Sequence, residues 1–368
     1  MRTLTWREVE DILAGATILG CGGGGGFSEG RDSLRGLYDQ GLTVTLAAPD
    51  EISDDALVGC PYAVGAMTSG DENTYGEHPF TEEFPGVLAL HALASHLGRE
   101  FEALICGELG GTSIADAFFP AATLGIPVID ADPCGRAVPE IEHSMFALHG
   151  LPTAPMAVVN EIGETVLMTT VADDRRAESL VRAISAASRD AVWVADHALE
   201  WGQLRSAAVP GTIGLAERVG RASREATSVG GVPAAAAAAG EGFIVFEGTV
   251  ASYEWSNNEA FTTGETVLAG TGEFATSTYR VWFKNENLLA WRDDVPDVSC
   301  PDLICLMDAS DGTPITNPRV AVGSQVTVIA FPSPPQWRTD KGIASLGPGH
   351  FGFDISFVPV EARHEASR

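Results

Sequence analysis

LGIPVIDADPCGRAVPEIEHSMF, residues 124–146, opens apolar and β-branched and turns abruptly polar halfway along. Ile126, Val128 and Ile129 read as a buried strand. Asp130, Asp132, Pro133, Cys134, Gly135 and Arg136 read as the loop that leaves it. Open α/β sheets take ligands where strands end and loops begin, so a site is expected here. Two aspartates, a thiol, an arginine, two glutamates and His143 gather in this stretch, in a chain with only six Cys and eight His. The residues alone leave two readings open. One is a functional site; the other is a polar loop whose Asp130 and Asp132 hold Arg136 and nearby backbone.

The preceding segment supports a βαβ unit. Phe101 to Cys106 reads as a strand, Gly107 to Ser113 as a glycine-rich turn, and Ile114 to Leu124 as a helix that Ser113 can cap. The handedness of such a crossover is nearly fixed. Glu108, Asp130 and Asp132 are then expected at the carboxyl ends of neighbouring parallel strands. That convergence is the main physical reason to expect a site.

Nearer the start, Thr5 to Ala14 reads as a helix. Thr5 and Glu8 stand at capping-box spacing. Ile18 and Leu19 read as a short strand or turn before five glycines, 22–26. Five glycines exclude ordinary helix on entropic grounds. The run lacks the strand–helix context of a dinucleotide site, and no Lys follows it as a phosphate loop requires. A turn that cradles a carbonyl or carboxylate, with Gly23, Gly24 and Gly25 against substrate, and a purely structural turn both remain open. A helix is expected over Ser28 to Gln40 and strands over Leu42 to Leu46 and Leu57 to Met67. Thr68 to Phe84 reads as a polar rim or lid loop, and Pro85 to Leu97 as a helix. His91 and His96 are five apart, not four, so no helical metal pair is expected.

Downstream, a strand is expected over Met156 to Asn160, a helix over Asp173 to Ser188, a strand over Ala191 to Ala195 and a helix from Pro210 to about Ala226. The alanine run 234–239 reads as a short helix or a linker. From Gly242 the pattern becomes one of short strands with Gly and Asp turns, including a hairpin at Glu286-Asn287. The expected architecture is an α/β domain with a mostly parallel sheet over 1–168, carrying the site. An α+β domain over 169–368 follows, β-rich after 242. At 368 residues two domains are the natural expectation.

The formal charge is −28, and Lys occurs only at 284 and 341. So acidic a chain is not expected to bind nucleic acid or anionic membrane. It has no run of about eighteen apolar residues, and its first fifteen lack signal-peptide character. No CxxC pair or secreted disulfide spacing occurs, so a reducing, cytoplasmic setting is expected.

LGCGGGG (19–25), CGELGGTS (106–113), LGIPVIDADPCGRAVPE (124–140), CPDLICLMDASDGTPI (300–315) and WRTDKGIASLGPGHFGFDISFVPV (337–360) occur in this order. Together they make the chain resemble the S-methyl thiohydantoin desulfurase family, over most of its length. The resemblance implies hydrolytic chemistry on a thiohydantoin- or hydantoin-like ring, with a divalent metal. It also implies association with hydantoinase-type enzymes, whose genes often neighbour those of the family.

Desulfuration needs an activated water and a stabilised leaving sulfur, and Zn²⁺ supplies both. Cys134, His143, Asp132 and Cys60 are the candidate ligands. A metal-free route makes Cys134 the nucleophile, His143 its activator, Arg136 a charge clamp, and Glu108 or Asp132 the general base. Arg338 and His350, from the tail, are candidates to contact substrate. A non-catalytic role, binding a cyclic amide or thioamide as an accessory subunit of a hydantoinase-like system, is the competing class. A homo-oligomer is expected in either case.

Overall fold

The computed structural model describes residues 1–65, 78–188, 190–258 and 261–364. Most of the acidic loop expected at 68–84, with Asp71, Glu72 and Glu77, lies outside the described residues.

The first helix, Trp6–Leu19, starts where the capping residues place it: Thr5 Oγ accepts from Glu8 N and Glu8 accepts from Thr5 N. It runs through Ile18 and Leu19, where a strand or turn was expected, because nothing breaks it before Gly20. Its inner stripe buries Val9, Ile12, Leu13 and Ala16. It crosses the helix Thr212–Glu225 at very short range. A Cβ at Gly15 would lie 1.8 Å from the Ala216 carbonyl oxygen, and one at Gly220 equally near that of Asp11. Two glycines thus let two backbones touch, and Arg224 closes the pair with a fork on Asp11 at 2.7 and 2.8 Å. Gly15→Ala gains about 1 kcal/mol of helix propensity but must separate the helices. A net loss of about 1–3 kcal/mol is expected from the overpacking, measured by urea denaturation.

The first sheet has eight strands. Their order is Arg2–Thr3, Thr45–Ala47, Val128–Ile129, Ala103–Leu104, Leu57–Val64, Val192–Glu200, Met156–Val159 and Thr165–Met168. The four from Thr45–Ala47 to Leu57–Val64 run parallel, joined by crossovers; the flanking strands pair antiparallel. Helices Pro85–Leu97 and Gly111–Leu124 supply crossovers. The elements after residue 168 still pack on this sheet: strand Val192–Glu200 lies inside it, and helix Thr212–Glu225 takes its N-terminus from Asp130, whose carboxylate accepts from Gly214 N at 2.9 Å.

The second sheet is antiparallel and seven-stranded. Its order is Val295–Ser299, Glu286–Arg292, Thr278–Lys284, Phe261–Gly270, Phe243–Asn258, Gln325–Phe331 and Leu303–Asp308. Its alternating inner face buries Phe243, Phe246, Tyr279, Val281 and Val328. The molecule therefore has an N-terminal α/β domain on a mixed sheet with a parallel centre and a C-terminal domain on an antiparallel sheet. The alanine run is a helix, Val232–Ala239, and it joins the two. Ala236 and Ala237 share one apolar cluster with Ile12 and Leu13 on one side and Ile329 and Phe331 on the other.

The glycine run is the polar part of the same seam. Cys21 O accepts from Asn287 N at 2.7 Å and Gly22 O from Asn317 N at 2.8 Å, both from the second domain. Gly24 O accepts from Thr112 N and Ser113 N, at the start of helix Gly111–Leu124. Gly22, Gly24 and Gly25 all have positive φ, a conformation that glycine adopts without strain. No helix among the described residues is long and apolar enough to cross a membrane.

Candidate active site

Glu108 follows the parallel strand Ala103–Leu104 and is held by two donors: Ser113 Oγ and Val138 N, each at 2.8 Å. Burial pushes its carboxyl up to about 7, against the pull of these two hydrogen bonds. It lines two adjoining cavities, one of about 90 Å³ and one of about 350 Å³. Ala63, Val64, Val138 and Pro139 are common to both walls, so the two form one cleft with Glu108 where they meet.

The larger cavity is walled by Gly22–Gly25 and Trp193 from the first domain and by Glu286 and Asn317 from the second. Glu286 packs directly on the glycine run: a Cβ at Gly23 would stand 1.9 Å from Glu286 Oε1. Its Oε2 is buried with no partner, and burial, then the nearby Glu108, push its carboxyl well up. Asp116, also on this wall, accepts from Trp193 Nε1 at 3.0 Å, and burial lifts it to about 7.

The smaller cavity has an arrangement that sequence reasoning missed. Tyr62 OH donates to Asp196 Oδ2 at 2.6 Å, and His197 Nδ1 lies 2.8 Å from Asp196 Oδ1. Phe146 packs on the imidazole with ring centroids 4.9 Å apart, and His197 Nε2 is buried without a partner. Burial opposes protonation of His197, but Asp196 outweighs it and its pKa is raised. His197 has φ +42°, a conformation rare for a side-chain-bearing residue and often found at functional sites. The expected strand ended at Ala195, before this pair. The signal available was Asp-His following an apolar run on a strand that continues to Glu200.

The residues of the 124–146 stretch are gathered differently from expectation. Cys134 is buried, and its Sγ contacts the Gly107 and His143 carbonyl oxygens at 3.3 and 3.5 Å. Burial and the Asp132 and Glu108 carboxyls push the thiol well up, and the expected Cys134–His143 side-chain pairing is not formed. Asp132 Oδ1 accepts from Cys134 N and Gly135 N, both at 2.6 Å, so it organises the loop; burial raises its carboxyl to about 6. Cys60 lines the smaller cavity, and burial raises its thiol well up.

Arg136 does not act as a clamp open to substrate. It is fully buried and donates to the carbonyls of Ala137, Asn287, Pro301 and Asp302 at 2.9 to 3.1 Å. Its fork joins the domains and has no free edge. Arg338 is likewise committed, to Glu361 and Asp302, and lines neither cavity.

The metal set expected from sequence, Cys134, His143, Asp132 and Cys60, does not converge. Among the described residues the donors that do converge are Glu140, Glu142, His143 and His350, one atom from each lying within 4.8 Å of the others. His143 and His350 bring their Nε2 atoms to 3.0 Å, so His350 belongs to this cluster and not to the cleft walls. Burial depresses His143 to about 3, despite Glu140 nearby.

Glu108, Asp116 and Asp132 share a consequence. Their raised folded-state values mean that they favour folding below the unfolded value of about 4, and that this contribution is lost as pH rises through about 6 and 7. The urea midpoint is therefore expected to be lower at pH 8 than at pH 5. An equal or higher midpoint at pH 8 would contradict the assignment.

Two family models match the chain. The N-terminal domain of the S-Me-THD-like family matches residues 7–170, and its C-terminal domain matches residues 172–360. No curated protein matches the chain. A crystal structure of a protein from Chromobacterium violaceum superposes with a TM-score of 0.79 at 23% identity, covering 98% of this chain and 100% of the other. That likeness extends the fold to both domains at once. With the two models together matching residues 7–170 and 172–360, the chain belongs to the S-Me-THD-like family.

Proposed function

We propose that the cleft binds a five-membered cyclic thioamide or amide of the thiohydantoin type and hydrolyses it, with Glu108 carrying the proton. Family membership supports a thiohydantoin-related enzyme. The observation that carries the reaction is the Glu108 carboxyl, set at the junction of the cavities with its pKa near neutrality. A proton carrier works best when its pKa lies near the working pH.

On an S-methyl thiohydantoin the step balances without an external oxidant or reductant. Ionised Glu108 takes a proton from water as the water oxygen bonds to the ring carbon that bears sulfur. The tetrahedral adduct then expels the thiolate as the C–S bond breaks. Glu108 returns the proton to sulfur and the remaining hydroxyl proton passes to the ring nitrogen, leaving the hydantoin and methanethiol. A cavity of about 350 Å³ is within the range that holds small molecules, and the Gly23–Gly25 backbone forms one wall. Tyr62, Asp196 and His197 hold a second polar chain beside it.

The test is methanethiol or sulfide release from S-methyl thiohydantoins and thiohydantoins by the purified full chain. Catalytic release supports the proposal. Stoichiometric binding without release would favour the accessory role instead.

A further inference from the structure

At the edge of the cleft one cluster brings together groups that ordinary packing keeps apart. Glu140, Glu142 and His143 come from one loop of the first domain; His350 comes from the turn Pro348–Phe351 of the second. The two imidazoles meet nitrogen to nitrogen at 3.0 Å, their planes at 81°. In a tetrahedral site with bonds of about 2.0–2.1 Å, neighbouring ligand nitrogens are about 3.3 Å apart, so the pair is close to ligand spacing. His143 is completely buried and its Nδ1 has no hydrogen-bond partner. The Nε2 pair is at hydrogen-bond distance, so one nitrogen of this buried imidazole has a protein partner and the other, Nδ1, has none.

We propose that Glu140, Glu142, His143 and His350 form a binding site for a divalent metal ion of the zinc class. Two nitrogens and two carboxylate oxygens suit a borderline cation better than calcium or magnesium, which prefer all-oxygen sites. In the structure each carboxylate is occupied by a cation: Lys284 pairs with Glu140 and Arg175 with Glu142. The Arg175–Glu142 pair is easily given up. The Arg175 side chain is 74% exposed, where such a pair contributes little. Lys284 and Glu140 are both mostly buried, so this pair is the one that competes with an ion; the ammonium also lies 4.1 Å from the Phe261 ring centroid, a contact it keeps without Glu140. Because the ligands come from both domains, the ion would tie the loop at 140–143 to the turn at 348–351. Glu140 also lines the smaller cavity, so the tie would stand at the edge of the cleft.

The site is independent of whether the cleft turns over a cyclic thioamide, and its test reads binding, not turnover. Full-length protein purified without a histidine tag and stripped with chelator is titrated with Zn²⁺ by calorimetry and with Co²⁺ by visible absorption. One equivalent of each is expected, with cobalt d–d bands of a nitrogen-ligated ion. Saturating Zn²⁺ is expected to raise the melting temperature by about 2–4 °C or more. His350→Gln, at a half-buried turn where folding is little at risk, is expected to weaken binding at least thirtyfold. Lys284→Met is expected to tighten it by removing a competitor. No one-equivalent uptake by the wild type, unchanged uptake in His350→Gln, or weaker uptake in Lys284→Met would each overturn the assignment. Unchanged uptake in His350→Gln would mean adventitious binding at exposed histidines such as His91 and His96.

Discussion

Glu108→Gln is expected to lower kcat/KM for thiol release by about 10²–10⁴-fold, the usual contribution of a general acid–base group. The substitution suits the site because it keeps the shape and both contacts. The amide oxygen can accept from Val138 N, as Glu108 Oε2 does, and the amide nitrogen can donate to the Ser113 hydroxyl once that hydroxyl rotates. The loss should therefore appear in turnover and not in the melting temperature. Wild-type activity should rise with pH through about 7, because the ionised carboxyl takes the first proton and burial has raised its titration to that point. The variant should lose that limb. A variant with wild-type turnover would move the chemistry elsewhere in the cleft, with the Tyr62–Asp196–His197 chain the next candidate. A limb that falls through neutrality would make Glu108 the acid of the first step.

The largest effect on stability is expected at Arg136. Arg136→Ala removes a buried guanidinium and leaves the carbonyls of Asn287, Pro301 and Asp302 without their donors at the centre of the domain seam. An orphaned buried acceptor costs about 1–3 kcal/mol. The void adds to this, so a total loss of about 3–5 kcal/mol or more is expected, in the range of severe core lesions. Arg136→Lys should recover little, since one ammonium cannot reproduce a planar fork that serves several carbonyls. Urea denaturation followed by tryptophan fluorescence measures both variants. A midpoint for Arg136→Ala equivalent to a loss under about 1 kcal/mol would mean that the seam does not depend on this residue.

Local signals in the sequence were sound where local physics decides. The Thr5–Glu8 capping pair starts the first helix, and Pro85–Leu97 is a helix over the span that its leading proline and apolar stripe predict. The alternation after residue 242 gives the antiparallel sheet. Glu108 could be found because a strand followed by glycines marks a strand end whatever the rest of the chain does. What long-range packing decides was not legible. Arg136 beside two aspartates looks like a clamp, and only the fold shows its fork turned toward the second domain's carbonyls. Asp132 looks like a base; only the fold shows that its Oδ1 is taken by the turn it starts, while its Oδ2 is buried with no hydrogen-bond partner. His143 meets His350 across 207 positions, and Glu286 arrives at the glycine run from a hairpin in the other domain. No spacing rule reaches such partners.

The strand order also bears on how the chain is made. Val192–Glu200 lies between Leu57–Val64 and Met156–Val159. A ribosome that has released only the first 170 residues has therefore delivered two fragments of sheet with bare edges, and a first helix whose glycine faces nothing. The nascent N-terminal half must wait for a later strand to bridge it, a state open to chaperones and to mispairing with other chains. The boundary between the two family matches, at residues 170–172, therefore precedes the strand that completes the first sheet.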